Sequence, residues 1–395
     1  MSDKREVVVT SGVRTAIGDY GGSLKDLPPC DLAAQVVRES VRRADIDPDS
    51  VGHCVFGHVI HTEARDMYLG RVAAIDGGLP RSTPALTVNR LCGSGLQAIV
   101  SASQQIELGH CDTAVAGGAE SMSRGQYWLP GQRFGQRMGN GQVIDAMVGA
   151  LTDPFDGCHM GITAENVAAK WYISREDQDA LAVESHRRAR HAVEAGHFDE
   201  QILALEIKLK RETISFDRDE HVRGDLDIES LAKLRPVFDK AGSVTAGNAS
   251  GINDAAAAVT LMERGAAERA GAKPMARLVG YAFAGVDPKY MGIGPVPAIR
   301  NLLERTGLAI DDFDVIELNE AFAAQALAVA RDLELPMDKV NPNGSGISLG
   351  HPVGATGCII TVKALYELVR TGGRYALVSM CIGGGQGIAA AYERL

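Results

Sequence analysis

No stretch of the 395 residues reaches the run of about 18 apolar side chains that a membrane span needs. The opening MSDKREVVVTSGVRTAIG lacks the apolar core of a secretory leader. The final residues Glu393, Arg394 and Leu395 are not a peroxisomal SKL-type address. Positive charge is in deficit: 40 Lys and Arg face 50 Asp and Glu, a formal net charge of -10, which argues against a nucleic-acid coat. Paired cysteines are missing as well. The seven cysteines (30, 54, 92, 111, 158, 358, 381) are odd in number and scattered, with neither a C-x-x-C pair nor a zinc spacing. These absences lead us to expect a cytoplasmic enzyme with free thiols and no metal. Neither a membrane nor a nucleic acid is expected as a partner.

Glycine, by contrast, is abundant: 45 residues, about 11% against a usual ~7%. Tight turns and close backbone approaches should follow. Apolar residues (45%) and charged residues (23%) are near the globular average. At about 150 residues per domain, the length predicts two or three domains, or two halves plus an insertion.

Strands and helices alternate in the first 118 residues. A strand at Val7–Val9 closes on Gly12, and a helix from Asp31 carries Leu32, Val36, Val37, Val41 and Ala44 on one face. Strands follow at His53–Val59 and from Pro84 to Val88, then a helix at 93–108 stopped by Gly109, then the strand Thr113–Gly118. The order returns near the C-terminus: helix 297–306, strand Asp314–Leu318, helix 355–370 closed by Gly372 and Gly373, and strand Tyr375–Met380. Val51–Phe56 matches Phe313–Leu318, and Thr113–Gly118 matches Tyr375–Met380, at one common offset. The phrase TVNRLCGSG (87–95) echoes KVNPNGSG (339–346). We read a duplicated α/β unit with a parallel sheet covered on both sides. Residues 119–249 break the alternation and read as an insertion. It contains a helix after Ser174 with Asp177 as capping partner, and a charged stretch from Lys208 to Arg223. Its segment 125–142 mixes Tyr127, Trp128, Leu129 and Phe134 with glycines and arginines, which fits either a surface loop or a subunit contact.

Four places could carry chemistry. Cys92, in Leu91-Cys92-Gly93-Ser94-Gly95, stands between a strand and a helix start. Unpaired N–H groups and the dipole at that end favour a thiolate. A buried inert cysteine remains the alternative. His351, fixed by Pro352 ahead of a helix, is either a base for Cys92 or a satisfied loop histidine. Cys381 precedes the run Ile382-Gly383-Gly384-Gly385-Gln386-Gly387, whose N–H groups could converge on an oxyanion or simply make a turn. Asn319, after the strand ending at Leu318, could polarise a carbonyl, hold a water or cap a helix. The glycine run is no phosphate loop, and no dinucleotide fingerprint accompanies it, so a nicotinamide dehydrogenase is excluded. A nucleophilic Cys, a His and a second Cys at strand ends point to thioester chemistry. The adjacent pair Cys158–His159 lacks a second pair for a metal.

Seven motifs in order resemble the thiolase family over essentially the whole chain. They are VNRLCGSGLQAI (88–99), GGAESMS (117–123), HMGITAEN (159–166), TAGNASGINDAAAA (245–258), NEAFAAQ (319–325), GSGISLGHPVGATG (344–357) and CIGGGQG (381–387). The pattern is that of bacterial biosynthetic-type members, acetyl-CoA acetyltransferases or broader 3-ketothiolases. One departure is Ala255, where the family usually has glycine after the Asn-Asp pair 253–254.

The resemblance implies a five-layer α/β/α/β/α fold of two similar halves. The first half would take residues 1–118 with 250–272, the second 273–395, and residues 119–249 a loop domain that covers coenzyme A. A homotetramer, a dimer of dimers, is implied, tied by segment 125–142. Cys92 matches the acylated nucleophile, His351 its base, and Cys381 the acid/base at the substrate α-carbon. Asn319 with His351 matches one oxyanion hole, and the N–H groups of Cys92 and Gly383 the other. For coenzyme A the resemblance points to Leu151, His159, Met160, Arg223, Ser230, Leu234, Ala246, Ser250, Ala321 and Phe322. Arg223 would face the phosphates, Ser250 and His159 the pantetheine arm, and Met291 the acyl pocket. Acyl-CoA is then a substrate, and no permanently bound cofactor is expected. The implied activity is reversible condensation of acetyl-CoA with a short acyl-CoA to a 3-ketoacyl-CoA. Two rivals are a ketoacyl-synthase-like decarboxylating condenser, which uses two histidines where Cys381 stands, and a CoA-binding scaffold, which would need none of the three reactive residues.

Overall fold

A computed structural model of the chain describes residues 5–208 and 212–395; residues 209–211 of the charged stretch 208–223 lie outside it. Nine strands build one path: β1 (Val7–Thr15), β2 (His53–Gly57), β3 (Ala85–Val88), β4 (Thr113–Ser121), β5 (Asn253–Glu263), β6 (Ala276–Gly285), β7 (Val315–Leu318), β8 (Tyr375–Ile382) and β9 (Gln386–Arg394). β1 does not close on Gly12 but runs on to Thr15. Gly12 lies against a helix instead: a Cβ there would sit 3.2 Å from Cγ2 of Val362. The residue admits a neighbour and does not end the strand.

The strand order is β7-β8-β9-β6-β1-β5-β4-β2-β3. It reads as two copies of one pattern meeting at β1 and β6. β2 lies parallel to β4 with His53 opposite Ala114, and β7 lies parallel to β8 with Val315 opposite Ala376. The partner stands equally far along the chain in both halves, as a duplication requires. The sheet is mixed, however, and not parallel throughout. β8 and β9 are joined only by Gly383–Gly385, with Gly384 and Gly385 at positive φ, and are antiparallel. Three residues make a hairpin and cannot make a crossover.

The helices that matter are α1 (Pro29–Ala44), α2 (Leu69–Asp76), α3 (Ser94–Glu107), α4 (Met160–Lys170), α5 (Arg175–Glu194), α6 (Pro295–Thr306), α7 (Ala323–Asp332) and α8 (Thr356–Thr371). α3 and α8 fill the middle layer, where Leu96, Ile99, Val362 and Leu365 join one core cluster. α1 covers the outer face of the first half through Leu32, Val36 and Val37, and α6 and α7 cover the second half through Ile299, Leu302 and Val329. This is the five-layer α/β/α/β/α fold. α8 is buried nearly all round, which explains its TGCIITVKALYELV run. Ser174 Oγ accepts the N–H of Asp177 at 3.1 Å, capping α5 as its sequence foretells.

The starts of α3 and α8 touch. A Cβ on Gly95 would fall 2.7 Å from the Cys358 nitrogen, and one on Gly357 would fall 2.3 Å from the Leu96 nitrogen. Two backbones approach this closely only without side chains. The loops entering the two helices, which carry Cys92 and His351, are thereby brought side by side. Elsewhere, Tyr127–Trp128 pairs with Ile144–Asp145, and Phe134 and Met138 between them are 97% and 94% exposed.

Candidate active site

The turn before α3 is built by its polar residues. Asn89 Oδ1 accepts the Leu91 N–H at 2.9 Å, and Ser94 Oγ takes the Arg90 N–H at 2.9 Å while donating to the Leu91 carbonyl at 2.6 Å. Leu91 is held at φ 44. Cys92 follows, half-buried, two residues before the helix. A Cβ on Gly93 would strike Ile382 at 2.7 Å, so this glycine lets the turn seat against β8. The Gly383 N–H and the N–H of Cys92 itself face the sulfur and favour its anion. Burial nevertheless raises the thiol above its ordinary range, and the nearby Glu120 carboxylate adds to the rise. At rest the residue is a thiol, contrary to the expectation from the helix end alone.

Gly350, at φ 104, turns the chain into His351, whose N–H is taken by Asn253 Oδ1 at 3.0 Å. The ring is buried, which lowers its pKa to about 4, so the imidazole is neutral at ordinary pH. Thr356 Oγ1 lies 2.7 Å from Nδ1 and also 2.8 Å from the Pro352 carbonyl. A hydroxyl has one proton, and the carbonyl can only accept it. Thr356 therefore receives the Nδ1–H, and Nε2 is left unprotonated, an acceptor. Asn319 Nδ2 approaches that nitrogen at 3.4 Å. Asn319 Oδ1 is buried without a partner among the described residues.

A cavity of about 50 Å³ joins these groups: Cys92, His351 and Gly383 line it, with Leu91, Val59, Ala150 and Val353. Of the residues anticipated for the substrate, Leu151, Met160, Ser250, Met291, Ala321 and Phe322 line it too. Cys381 is fully buried and packs in one apolar cluster with Met160, Met291, Ala321 and Phe322. Burial drives its thiol upward, and the neighbouring Cys92 adds to the rise. An outer cleft of about 510 Å³ continues from the same walls through Leu151, Ser250, Phe322, His351 and Val353. His159 and Ala246 belong to this cleft. His159 Nδ1 accepts the Gly161 N–H at 3.0 Å, and its ring stacks on Phe238 at 4.7 Å. Arg223, Ser230 and Leu234 line neither space. Arg223 is exposed and gives its N–H to His186 Nδ1 at 3.1 Å. Ser230 sits in the capping box of a short helix, Ile228–Ala232, and Leu234 lies just beyond it. Among the described residues, no three His, Cys, Asp or Glu side chains stand at metal-binding distance.

The arrangement puts a neutral thiol and a neutral imidazole in one apolar, nearly closed space. A proton leaving Cys92 for Nε2 would turn that nitrogen into a donor beside Asn319 Nδ2. Those two donors on one side, and the Cys92 and Gly383 N–H groups on the other, can each hold an oxygen that gains charge. Sequence reasoning did not single out Thr356, Asn253, Glu120, Val59 or Ala150. Three of these stand inside motifs quoted above, GHPVGATG, GINDAAAA and GGAESMS, so the signal was present. Val59 stands in a loop and Ala150 ends a short helix, Ala146–Ala150, and only the fold brings them to the cavity.

The sequence matches the thiolase N-terminal domain over residues 7–265 and the thiolase C-terminal domain over residues 272–394. It is 65% identical to the beta-ketothiolase BktB of Cupriavidus necator over 392 residues, covering 99% of this chain and 100% of that one. It is 48% identical to an acetyl-CoA acetyltransferase of Chromobacterium violaceum, covering 98% of this chain and 100% of the relative. Among solved structures, the acetyl-CoA acetyltransferase of Bacillus anthracis superposes with a TM-score of 0.97 at 47% identity over 99% of both chains. A human mitochondrial 3-ketoacyl-CoA thiolase in complex with CoA gives 0.96 at 43% identity, over 99% of this chain and 98% of that one.

Proposed function

Because the chain belongs to the thiolase family, we propose that Cys92 is its acylated nucleophile and His351 the base that takes the thiol proton. The enzyme is an acyltransferase, an acetyl-CoA acetyltransferase of the beta-ketothiolase kind. One observation carries the assignment: a thiol, a neutral imidazole with Nε2 unprotonated, and the Gly383 N–H all meet at one cavity.

The sulfur of Cys92 attacks the acyl-CoA carbonyl while its proton passes to His351 Nε2. The carbon–sulfur bond to CoA breaks, and Cys381 gives its proton to the leaving sulfur. CoA departs and acetyl-CoA enters. Cys381, now a thiolate, removes the α-proton, and the α-carbon attacks the acyl group on Cys92. The bond to Cys92 breaks, His351 returns the proton to that sulfur, and 3-ketoacyl-CoA leaves. Burial keeps both thiols protonated at rest, as donors in this sequence must be. Asn319 with protonated His351, and the N–H groups of Cys92 and Gly383, hold the two oxyanions.

CoA serves as a substrate and not as a resident cofactor. Leu151, His159, Met160, Ala246, Ser250, Met291, Ala321 and Phe322 form the path for acyl group and pantetheine, a reading their place in the two cavities supports. Arg223, Ser230 and Leu234 take the outer end of the cofactor. Residues 119–249 form the covering domain between halves 1–118 with 250–272 and 273–395. The exposed Trp128, Phe134 and Met138 join dimers into a cytoplasmic homotetramer. The small apolar cavity favours products of four carbons, extending to five or six. The test is to incubate the enzyme with acetyl-CoA alone, quench in acid and map the peptides by mass spectrometry. An acetyl group on Cys92, absent in Cys92→Ser, is expected; acetylation elsewhere or none would overturn the assignment.

A further inference from the structure

Glu120 is the next-to-last residue of β4 and is fully buried. Its carboxylate accepts three backbone N–H groups from two loops. Oε2 takes Val59 at 3.1 Å and Gly354 at 2.8 Å, and Oε1 takes Ile60 at 3.0 Å. Val59 walls the inner cavity beside Cys92, and Gly354 follows Val353, which walls it from the His351 side. One side chain therefore ties a loop of the first half to the loop that carries the base. The fit is tight: a Cβ on Gly354 would fall 2.5 Å from Glu120 Oε2.

A histidine stands against this carboxylate. His58 Nδ1 lies 3.2 Å from Glu120 Oε1 and 2.9 Å from the Ala119 carbonyl, so that nitrogen carries a proton. The other nitrogen, Nε2, lies 3.8 Å from Asp66 Oδ2 and has no hydrogen-bond partner among the described residues. The ring stands between two buried carboxylates, which raises its pKa against the effect of burial. The remaining titratable neighbours are His61, with ring centroids 5.1 Å apart, and Cys30, whose Sγ lies 3.4 Å from Asp66. On the far side of Glu120 stand Asp254 of β5, whose own pKa its charge helps to raise, and Cys92.

We propose that Glu120 and His58 are positioning residues for acylation: the carboxylate holds the Val59 and Gly354 loops so that Cys92 and His351 face each other, and His58, its ring set between the Ala119 carbonyl and Glu120 Oε1, keeps that carboxylate in place. The proposal rests on Cys92 being the nucleophile. It assigns no contact with substrate to either residue.

The experiment compares the full-length enzyme with Glu120→Gln, His58→Gln, the double variant of these two, and Glu120→Asp. Single-turnover acetylation of Cys92 is measured together with the pH dependence of its alkylation by iodoacetamide. Glutamine at 120 keeps the shape but not the charge, and it loses at least one of the three N–H contacts. Glu120→Gln should slow acetylation about tenfold or more with KM for acetyl-CoA nearly unchanged. It should also move the alkylation midpoint to lower pH by roughly half a unit or more. His58→Gln should slow acetylation less than Glu120→Gln, because the three N–H contacts of Glu120 remain, and the double variant should behave as Glu120→Gln does. Glu120→Asp keeps the charge and shortens the reach, so it should slow acetylation while leaving the alkylation midpoint where it is. A purely structural role would slow acetylation without moving the midpoint in Glu120→Gln. A folded Glu120→Gln that acetylates at the wild-type rate, or whose midpoint does not fall, would overturn the proposal. If Glu120→Gln fails to fold, Glu120→Asp decides: slowed acetylation with KM unchanged supports it, and a wild-type rate ends it. Should the wild type not be acetylated on Cys92, the reading of the nucleophile fails, while the alkylation shifts still report on the charge arrangement.

Discussion

The Thr356 hydroxyl lies 2.7 Å from His351 Nδ1 and donates its own O–H to the Pro352 carbonyl. A side chain five residues along the chain thus chooses the tautomer of the base. Thr356→Val keeps the shape and removes the acceptor. We expect kcat to fall about tenfold or more while KM changes little, and Thr356→Ser to recover most of the loss. Steady-state condensation of acetyl-CoA measures both.

Cys381 should separate the two halves of the reaction. Cys381→Ser is expected to keep acyl transfer to Cys92 while condensation falls by about 10² or more. Mass spectrometry of the acyl-enzyme and an assay of acetoacetyl-CoA formation check the two outcomes in one preparation. Condensation at the normal rate would remove Cys381 from its role.

Acyl length should answer to Ala150. It lines the inner cavity and packs in one apolar cluster with Cys92, Val59 and Val353. Ala150→Leu fills space that a longer acyl chain would need. Thiolysis of 3-ketovaleryl- and 3-ketohexanoyl-CoA should fall relative to acetoacetyl-CoA, by about tenfold for each methylene refused.

Much of this was legible in the residues alone. The duplication announced itself in apolar runs at one offset, because β2, β4, β7 and β8 are buried on both faces and are mostly apolar or small. Cys92, His351 and Cys381 stood out through glycine and proline neighbours that only a special backbone explains. Three things were hidden. The charge state of Cys92 depends on burial, which local motifs do not encode. Glu120 on β4 and His58 just beyond β2 meet only through the fold, and no spacing rule links them. The antiparallel pairings along the strand path, one made by a three-residue hairpin and four between strands remote in sequence, are not revealed by alternation of strands and helices.

Stability should depend on pH through buried histidines. His351 and His186 are both lowered by burial from an ordinary 6.5 to about 4. The unfolded chain therefore binds more protons than the fold between these values, and stability rises with pH across that window. Glu317 acts in the opposite sense: raised by burial from 4.5 to about 7, it makes the fold lose stability as pH rises through that range. Urea unfolding from pH 4 to 7 should show a shallower rise on the acid side in His186→Gln than in the wild type.

Lys363 should be costly to remove. Its ammonium lies 2.8 Å from Glu317 Oε2 and 2.6 Å from the Gly344 carbonyl, wholly buried beneath the 341–351 loop. Lys363→Met leaves a carboxyl group stranded, and about 3–5 kcal/mol of stability should be lost, read from the urea midpoint. The paired change Lys363→Met with Glu317→Leu should lose much less.

The crossing of Gly95 over Gly357 has one more consequence. Sulfur and imidazole belong to different repeats, so neither repeat is chemically complete. A forerunner with a single copy of the unit would have needed a twin chain to work at all. Fusion then turned a chance encounter between two molecules into a fixed neighbourhood within one. Cutting the chain between the repeats should undo that gain and leave two fragments that are inert until they find each other again.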